Sequence, residues 1–330
     1  MRQVWWALST ASFFITSGAC CGQSPSLEAL GLPQHTRALV IHADDVGRCW
    51  STHKASIEAM EKGSVTSGSA MAPCSWFPAA VRSSSDNPKL DMGLHLTLTS
   101  EWEVYRWRPV AANSLVPGLV DDKGYLWPNQ AQVYRSVKKD IQQVVTELQA
   151  QIDLARRQGL EPTHLDSHMG TLYYNEDFFK ATCKLALQND IPFMTFAFND
   201  QTKDLSRRLA PYFSREFSQK HIEAGFPAFD AFYDGEEFVG KAYDESFRNF
   251  RKLMTDLKPG VSYLLLHMGT ESPELKEITS RYDSRVQQYR IFTSPEMDRL
   301  LKDEGIHLLN WRDLKEAIWD KRDKSIKGIF

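Results

Sequence analysis

From Ala38 to Ala43 the chain is apolar for about the length of a buried strand, then breaks into two adjacent carboxylates, Asp44 and Asp45, with Gly47 behind them to let the backbone turn. The period then changes. Between Ser51 and Lys62 the apolar positions Ala55, Ile57, Ala59 and Met60 roughly follow helical spacing, and Gly63 supplies a stop. Val65 to Met71 predicts a second strand, Pro73 to Ser75 a turn, and Trp76 to Arg82 a short helix. Over Asp91 to Thr99 the alternation is clean: Leu94, Leu96 and Leu98 share one face, and Gly93, His95 and Thr97 the other. A histidine is thereby placed on the polar side of a strand.

Ser100 to Asn129 has no periodicity, yet it carries Trp102, Tyr105, Trp107, Tyr125 and Trp127 among prolines and glycines, as a long excursion from a scaffold would. Gln130 to Gln158 predicts one long amphipathic helix ended by Gly159. A helix over Glu176 to Gln188 and a strand over Ile191 to Phe196 follow; Thr202 to Glu236 gives no readable pattern. Asp244 to Leu257 predicts a helix, Pro259-Gly260 a turn, and Val261 to His267 a buried strand that ends on a histidine. Pro295 to Lys302 predicts a helix with Thr293 and Glu296 at capping-box spacing. A strand over Ile306 to Leu309 and a helix from Trp311 to Trp319 close the chain.

Repeated strand-then-helix units argue for a parallel sheet, and seven or eight such units in one domain fit a closed (β/α) barrel better than an open sheet. With 42% hydrophobic and 25% charged residues in 330, the composition is that of a globular chain. A net charge of -3 without a basic cluster argues against nucleic acid as a partner. Met1-Arg2, the apolar Val4 to Thr16 and the small residues from Ser17 to Cys21 read as a secretory signal over residues 1–22, or as a lipoprotein signal that leaves Cys20 lipidated. The expected location is secreted or periplasmic, with the folded domain over 37–330. Cys49, Cys74 and Cys183 lack metal-type spacing and read as buried free thiols.

Asp44 and Asp45, His95, His168 and His267 all fall at or near the C-terminal ends of predicted strands. In a (β/α) barrel those ends converge on one face, where active sites are built. Within His164-Leu-Asp-Ser-His168, His164, Asp166 and His168 share a face if the segment is extended. Two imidazoles and a carboxylate form a facial set for a divalent cation, and the second carboxylate has a ready task as a base.

Ala43-Asp-Asp-Val-Gly47, Val65-Thr-Ser67, Gly93-Leu-His-Leu-Thr-Leu98, Pro162-Thr-His-Leu-Asp-Ser-His168, Leu266-His267 and the Gly305-Ile306 strand together resemble the YdjC-like (ChbG-type) carbohydrate deacetylases, in order from about Arg37 to about Ala317. The resemblance implies a distorted, TIM-like (β/α) barrel, a divalent metal such as Mg2+ or Zn2+, and an N-acetylated sugar or oligosaccharide as substrate. It also implies Asp45, His95 and His168 as metal ligands, Asp44 as general base, and His267 as acid or as holder of the departing group. His164 and Asp166 then orient the ligands, and Trp102, Tyr105, Trp107 and Tyr173 are candidates either to stack on sugar rings or to pack as core beneath the long loop. The chain departs from the pattern at Met169-Gly170, where further histidines are expected, at His42 in place of asparagine, and at Val46 in place of phenylalanine or leucine. Two other classes share parts of this set. An iron-dependent oxygenase would use the same ligands but leave Asp44 idle, and a non-catalytic sugar-binding protein would need no base.

Overall fold

The computed structural model describes residues 23–137, 140–203 and 212–325. Its frame is nine strands: β1 (Arg37–Val46), β2 (Ser67–Ala70), β3 (Met92–Leu96), β4 (Leu165–Ser167), β5 (Thr195–Phe196), β6 (Ala228–Phe229), β7 (Ala231–Asp234), β8 (Gly260–His267) and β9 (His307–Leu309). Seven of them form a curled sheet in the order β4-β3-β2-β1-β8-β7, with β9 beside the start of β1, and every pairing is parallel. The short β5–β6 pair spans the remaining arc. Met194 N donates to Leu165 O at 3.2 Å on the β4 side, and Asp230 N donates to Val261 O at 2.8 Å on the β8 side. The result is the distorted single-domain (β/α) barrel that the alternation of elements predicts.

β1 shows why a barrel strand reads as a continuous apolar run. Leu39, Ile41 and Ala43 pack outward with Leu264 and Leu266 of β8 and with Phe250 and Phe292 from the surrounding helices. Ala38 and Val40 share the other cluster with Leu94, Tyr263 and Trp311. The alternation puts His42 and Asp44 on that second, interior side. Gly93 on β3 is tight for a packing reason: a Cβ there would lie 2.4 Å from the His164 ring. Gly93→Ala is therefore expected to destabilise the fold by about 1–3 kcal/mol, read as a lower denaturation midpoint at unchanged slope.

Several elements differ from the pattern-based expectation. The long helix is two, Gln130–Val137 and Ile141–Gln158. Ser294, not Thr293, caps the helix Pro295–Asp303, its hydroxyl accepting from Met297 N. The last helix holds α geometry only over Trp311–Leu314 and then widens to a π turn over Lys315–Trp319. An unforeseen helix, Pro25–Ala29, buries Leu27 and bonds Ser26 Oγ to Ala228 O at 2.6 Å, ahead of the expected domain start. Cys49, Cys74 and Cys183 are buried free thiols. The expected export signal and Cys20 lie outside the described residues, and among the described residues no helix is long and apolar enough to cross a membrane.

Candidate metal centre

Register brings the site together. β1 and β8 align Asp44 with His267, and β3 and β4 align His95 with Asp166. His168 follows β4 directly in a short 3-10 turn. Simple alternation would send Asp45 away from Asp44, but the pairing of β1 with β2 slips between Ala43 and Val46, and Asp45 takes a left-handed φ of 64°. Aspartate tolerates that region better than most residues, and strain at such a position marks a functional constraint. The turn aims both carboxylates at the same rim.

Three donor atoms then converge. Asp45 Oδ1 lies 3.5 Å from His168 Nδ1 and 3.8 Å from His95 Nε2, and the two imidazole nitrogens are 3.2 Å apart. The other ring nitrogens fix the tautomers: His95 Nδ1 is 2.7 Å from Asp166 Oδ1, and His168 Nε2 is 3.0 Å from Glu101 Oε2. Carboxylates only accept, so those nitrogens carry protons and the lone pairs of His95 Nε2 and His168 Nδ1 face Asp45. Asp45 Oδ1 is buried and receives no hydrogen bond. Three acceptors facing one another in a dry site need a cation or a proton between them. The point equidistant from all three lies about 2 Å from each, the length of a zinc–nitrogen or magnesium–oxygen bond. The donor set fits a divalent ion.

The electrostatics agree. Burial would raise the Asp45 carboxyl, but the guanidinium groups of Arg48 and Arg285, bonded to its Oδ2 at 2.7 and 2.6 Å, hold it well below the usual carboxylate range. Burial would lower His95, yet Asp44 and Asp166 outweigh it and push His95 up to about 9. A divalent ion held by the three donors would have to displace that proton. Apparent metal affinity is therefore expected to rise with pH, by up to about tenfold per unit between pH 7 and 9. Competition with a metal-sensitive dye at several pH values checks the slope.

Asp44 stands beside this set, with Oδ2 3.5 Å from His95 Nε2, and burial together with the Asp166 charge raises its pKa. It lines a cavity of about 690 Å³ at the strand ends, along with His168, His267, Arg285 and Tyr173. Asp166 is where a ligand-orienting residue is needed, with Ser69 Oγ donating to its second oxygen at 2.7 Å. His164 is deeper: it stacks on Trp311 at 4.4 Å and meets the His42 ring edge-on at 5.1 Å, and no hydrogen bond joins it to the three donors among the described residues. Of the four aromatics expected to meet sugar, only Tyr173 lines the cavity. Trp102 is committed to the Arg48 guanidinium, 3.6 Å from its ring, Trp107 donates Nε1–H to Thr99 O, and Tyr105 donates to Arg48 O. These three brace the site from behind.

Arg48, Glu101 and Arg285 escaped the sequence reading. Arg48 follows Asp45 by three residues and was open to notice. Arg285 sits 240 positions from its partner on a helix, Tyr282–Phe292, whose buried face includes Arg285 and Gln288 and so carries no clean apolar stripe.

Fold and donor set define a barrel protein with a buried candidate centre for a divalent metal. The chain belongs to the YdjC-like protein family, whose model matches residues 38–303. It is 30% identical over 299 residues to a carbohydrate deacetylase of Thermus thermophilus, covering 89% of this chain and 99% of that protein. A carbohydrate deacetylase of Enterococcus faecalis is 27% identical over 284 residues, covering 84% and 98%. A crystal structure from Enterococcus faecalis V583, of a protein proposed to be a cellobiose-phosphate cleavage protein, superposes with a TM-score of 0.68 at 26% identity, covering 84% of this chain and 99% of that one.

Proposed function

We propose that this chain is a divalent-metal-dependent deacetylase that hydrolyses the N-acetyl group of an N-acetylated sugar or oligosaccharide and releases acetate. The observation that carries the reading is the convergence of three lone pairs, from Asp45, His95 and His168, beside a second carboxylate left free to accept a proton. A divalent cation held there would polarise the acetamide carbonyl and acidify the attacking water. Asp44 takes a proton from that water as it adds to the carbonyl carbon, and gives it to the sugar nitrogen as the carbon–nitrogen bond breaks. One carboxylate serves both steps because the other candidate donor is neutral. Burial, with Arg285 and Arg48 nearby, pulls His267 down to about 3, so at pH 7 it carries no spare proton. Of the two roles expected for His267, holding the departing group fits this neutral ring.

The cavity is large enough for more than one sugar ring, and Tyr173, Phe232 and Tyr263 give its wall apolar faces. We further propose, from the apolar and small-residue pattern of residues 1–22, that this segment is an export signal and that the reaction runs outside the cytoplasm, with Cys20 as the candidate lipid-bearing residue. Acetate release from N-acetylglucosamine oligomers of increasing length, with chelator treatment and metal add-back, tests the whole reading. Release that survives verified metal removal counts against it.

A further inference from the structure

Beneath the three donors lies a contact that the proposed reaction leaves without a task. His42 faces the barrel interior two positions before Asp44 and is fully buried. Its Nε2 has three oxygen neighbours: Ser69 Oγ at 3.0 Å, Asp166 Oδ2 at 3.1 Å and Asp44 Oδ1 at 3.2 Å. Its Nδ1 is 2.8 Å from Ser67 Oγ. Because the two carboxylates only accept, the ring proton belongs on Nε2, and Nδ1 accepts from the Ser67 hydroxyl. The ring is held in this orientation by Tyr263 stacked at 5.2 Å and His164 edge-on at 5.1 Å. The hydrogen bond of Nε2 is with Ser69 Oγ, and Asp44 Oδ1, which receives no hydrogen bond of good geometry, faces the same ring edge at ion-pair distance.

Two carboxylate oxygens and a hydroxyl within 3.2 Å of one ring nitrogen make Nε2 the proton-bearing edge of His42, and that proton is what lets Asp44 Oδ1 and Asp166 Oδ2 sit this close to it.

We infer that His42 is the positioning residue of the base: the polar Nε2 edge of its ring, 3.2 Å from Asp44 Oδ1, keeps that oxygen inward and leaves Asp44 Oδ2, on the His95 side, as the oxygen that receives the proton from water. The same edge faces Asp166 Oδ2, whereas His95 is held by the other oxygen, Oδ1, so the ligand's support does not run through His42. This rests on the deacetylase reading.

The test uses the full metal-loaded chain with His42→Leu, which keeps bulk and removes the donor, and His42→Asn, which keeps a side-chain N–H. His42→Leu is expected to lower kcat by about 10- to 100-fold with KM and metal affinity within about threefold of wild type, and His42→Asn to recover most of the loss. Equal loss in both variants, or a loss that appears in metal affinity, would overturn the inference in favour of packing or ligand support. A readout free of turnover is the His42 ring N–H proton in the NMR spectrum of the metal-free protein, assigned by its disappearance in His42→Asn. It is expected as a slowly exchanging resonance that shifts in Asp44→Asn; an unmoved resonance would also overturn the assignment. If that resonance moves while wild-type enzyme releases no acetate from any oligomer, the deacetylase reading fails and the His42–Asp44 contact stands.

Discussion

Asp44→Asn is expected to lower kcat for acetate release by about a thousandfold while leaving metal content and sugar binding near wild type. The expectation follows from position. Asp44 Oδ2 is 3.5 Å from His95 Nε2, close to the metal donors, yet the three converging lone pairs come from Asp45, His95 and His168. The amide is nearly isosteric, so the cavity keeps its shape, but it cannot take a proton. Steady-state kinetics with metal analysis on the same sample checks both halves. Activity above about a tenth of wild type would mean that water is activated elsewhere. The same variant separates a deacetylase from a sugar-binding protein, because binding alone has no use for the lost carboxylate.

The second large effect is expected from His95→Ala, which removes one donor and leaves Asp166 facing a gap. Metal affinity is expected to fall by at least about a thousandfold, with acetate release falling alongside it. Asp166→Asn, which alters the hydrogen bond behind His95 and the contacts of Ser69 and His42 with the second oxygen but leaves the donor itself in place, is expected to cost about 10- to 100-fold in affinity. The ordering of the two variants carries the argument. A site in which Asp166 mattered more than His95 would place the ion deeper, among Asp44, His95 and Asp166, whose donor atoms also lie within 4.8 Å of one another.

Much of this was legible in the residues. The long strands β1 and β8 announced themselves because burial on both faces makes a continuous apolar run, and the chemistry at their ends, Asp44, Asp45 and His267, was visible for the same reason. β5 is the end of the strand expected over Ile191 to Phe196, but β6 was not legible: two residues are too few to show a period, and their surroundings are aromatic. The carboxylates' guanidinium partners were harder still. Arg285 is nearly as buried as the apolar core, and only the fold reveals that it lies beside Asp45. The aromatic loop left two readings open, and for its tryptophans the packing one fits. Trp102 and Trp107 look like a sugar platform in sequence, but cation–π contact and a backbone hydrogen bond commit them to bracing the arginine and the loop.

The iron-oxygenase alternative loses ground on the scaffold and on the free base. The two-histidine, one-carboxylate set sits here at the C-terminal rim of a parallel barrel, with a second carboxylate alongside that hydrolysis needs and oxygen activation does not. The pair of arginines on Asp45 sharpens the point. They keep the carboxylate ionised and leave only Oδ1 free, so Asp45 would hold a metal ion through one oxygen.

The most direct test is an anomalous difference map from crystals of the full chain loaded with manganese or zinc. One strong peak within bonding distance of Asp45 Oδ1, His95 Nε2 and His168 Nδ1, with Asp44 uncoordinated, is the expected result. A peak elsewhere, or Asp44 among the ligands, would contradict the assignment of base and ligand on which the rest stands.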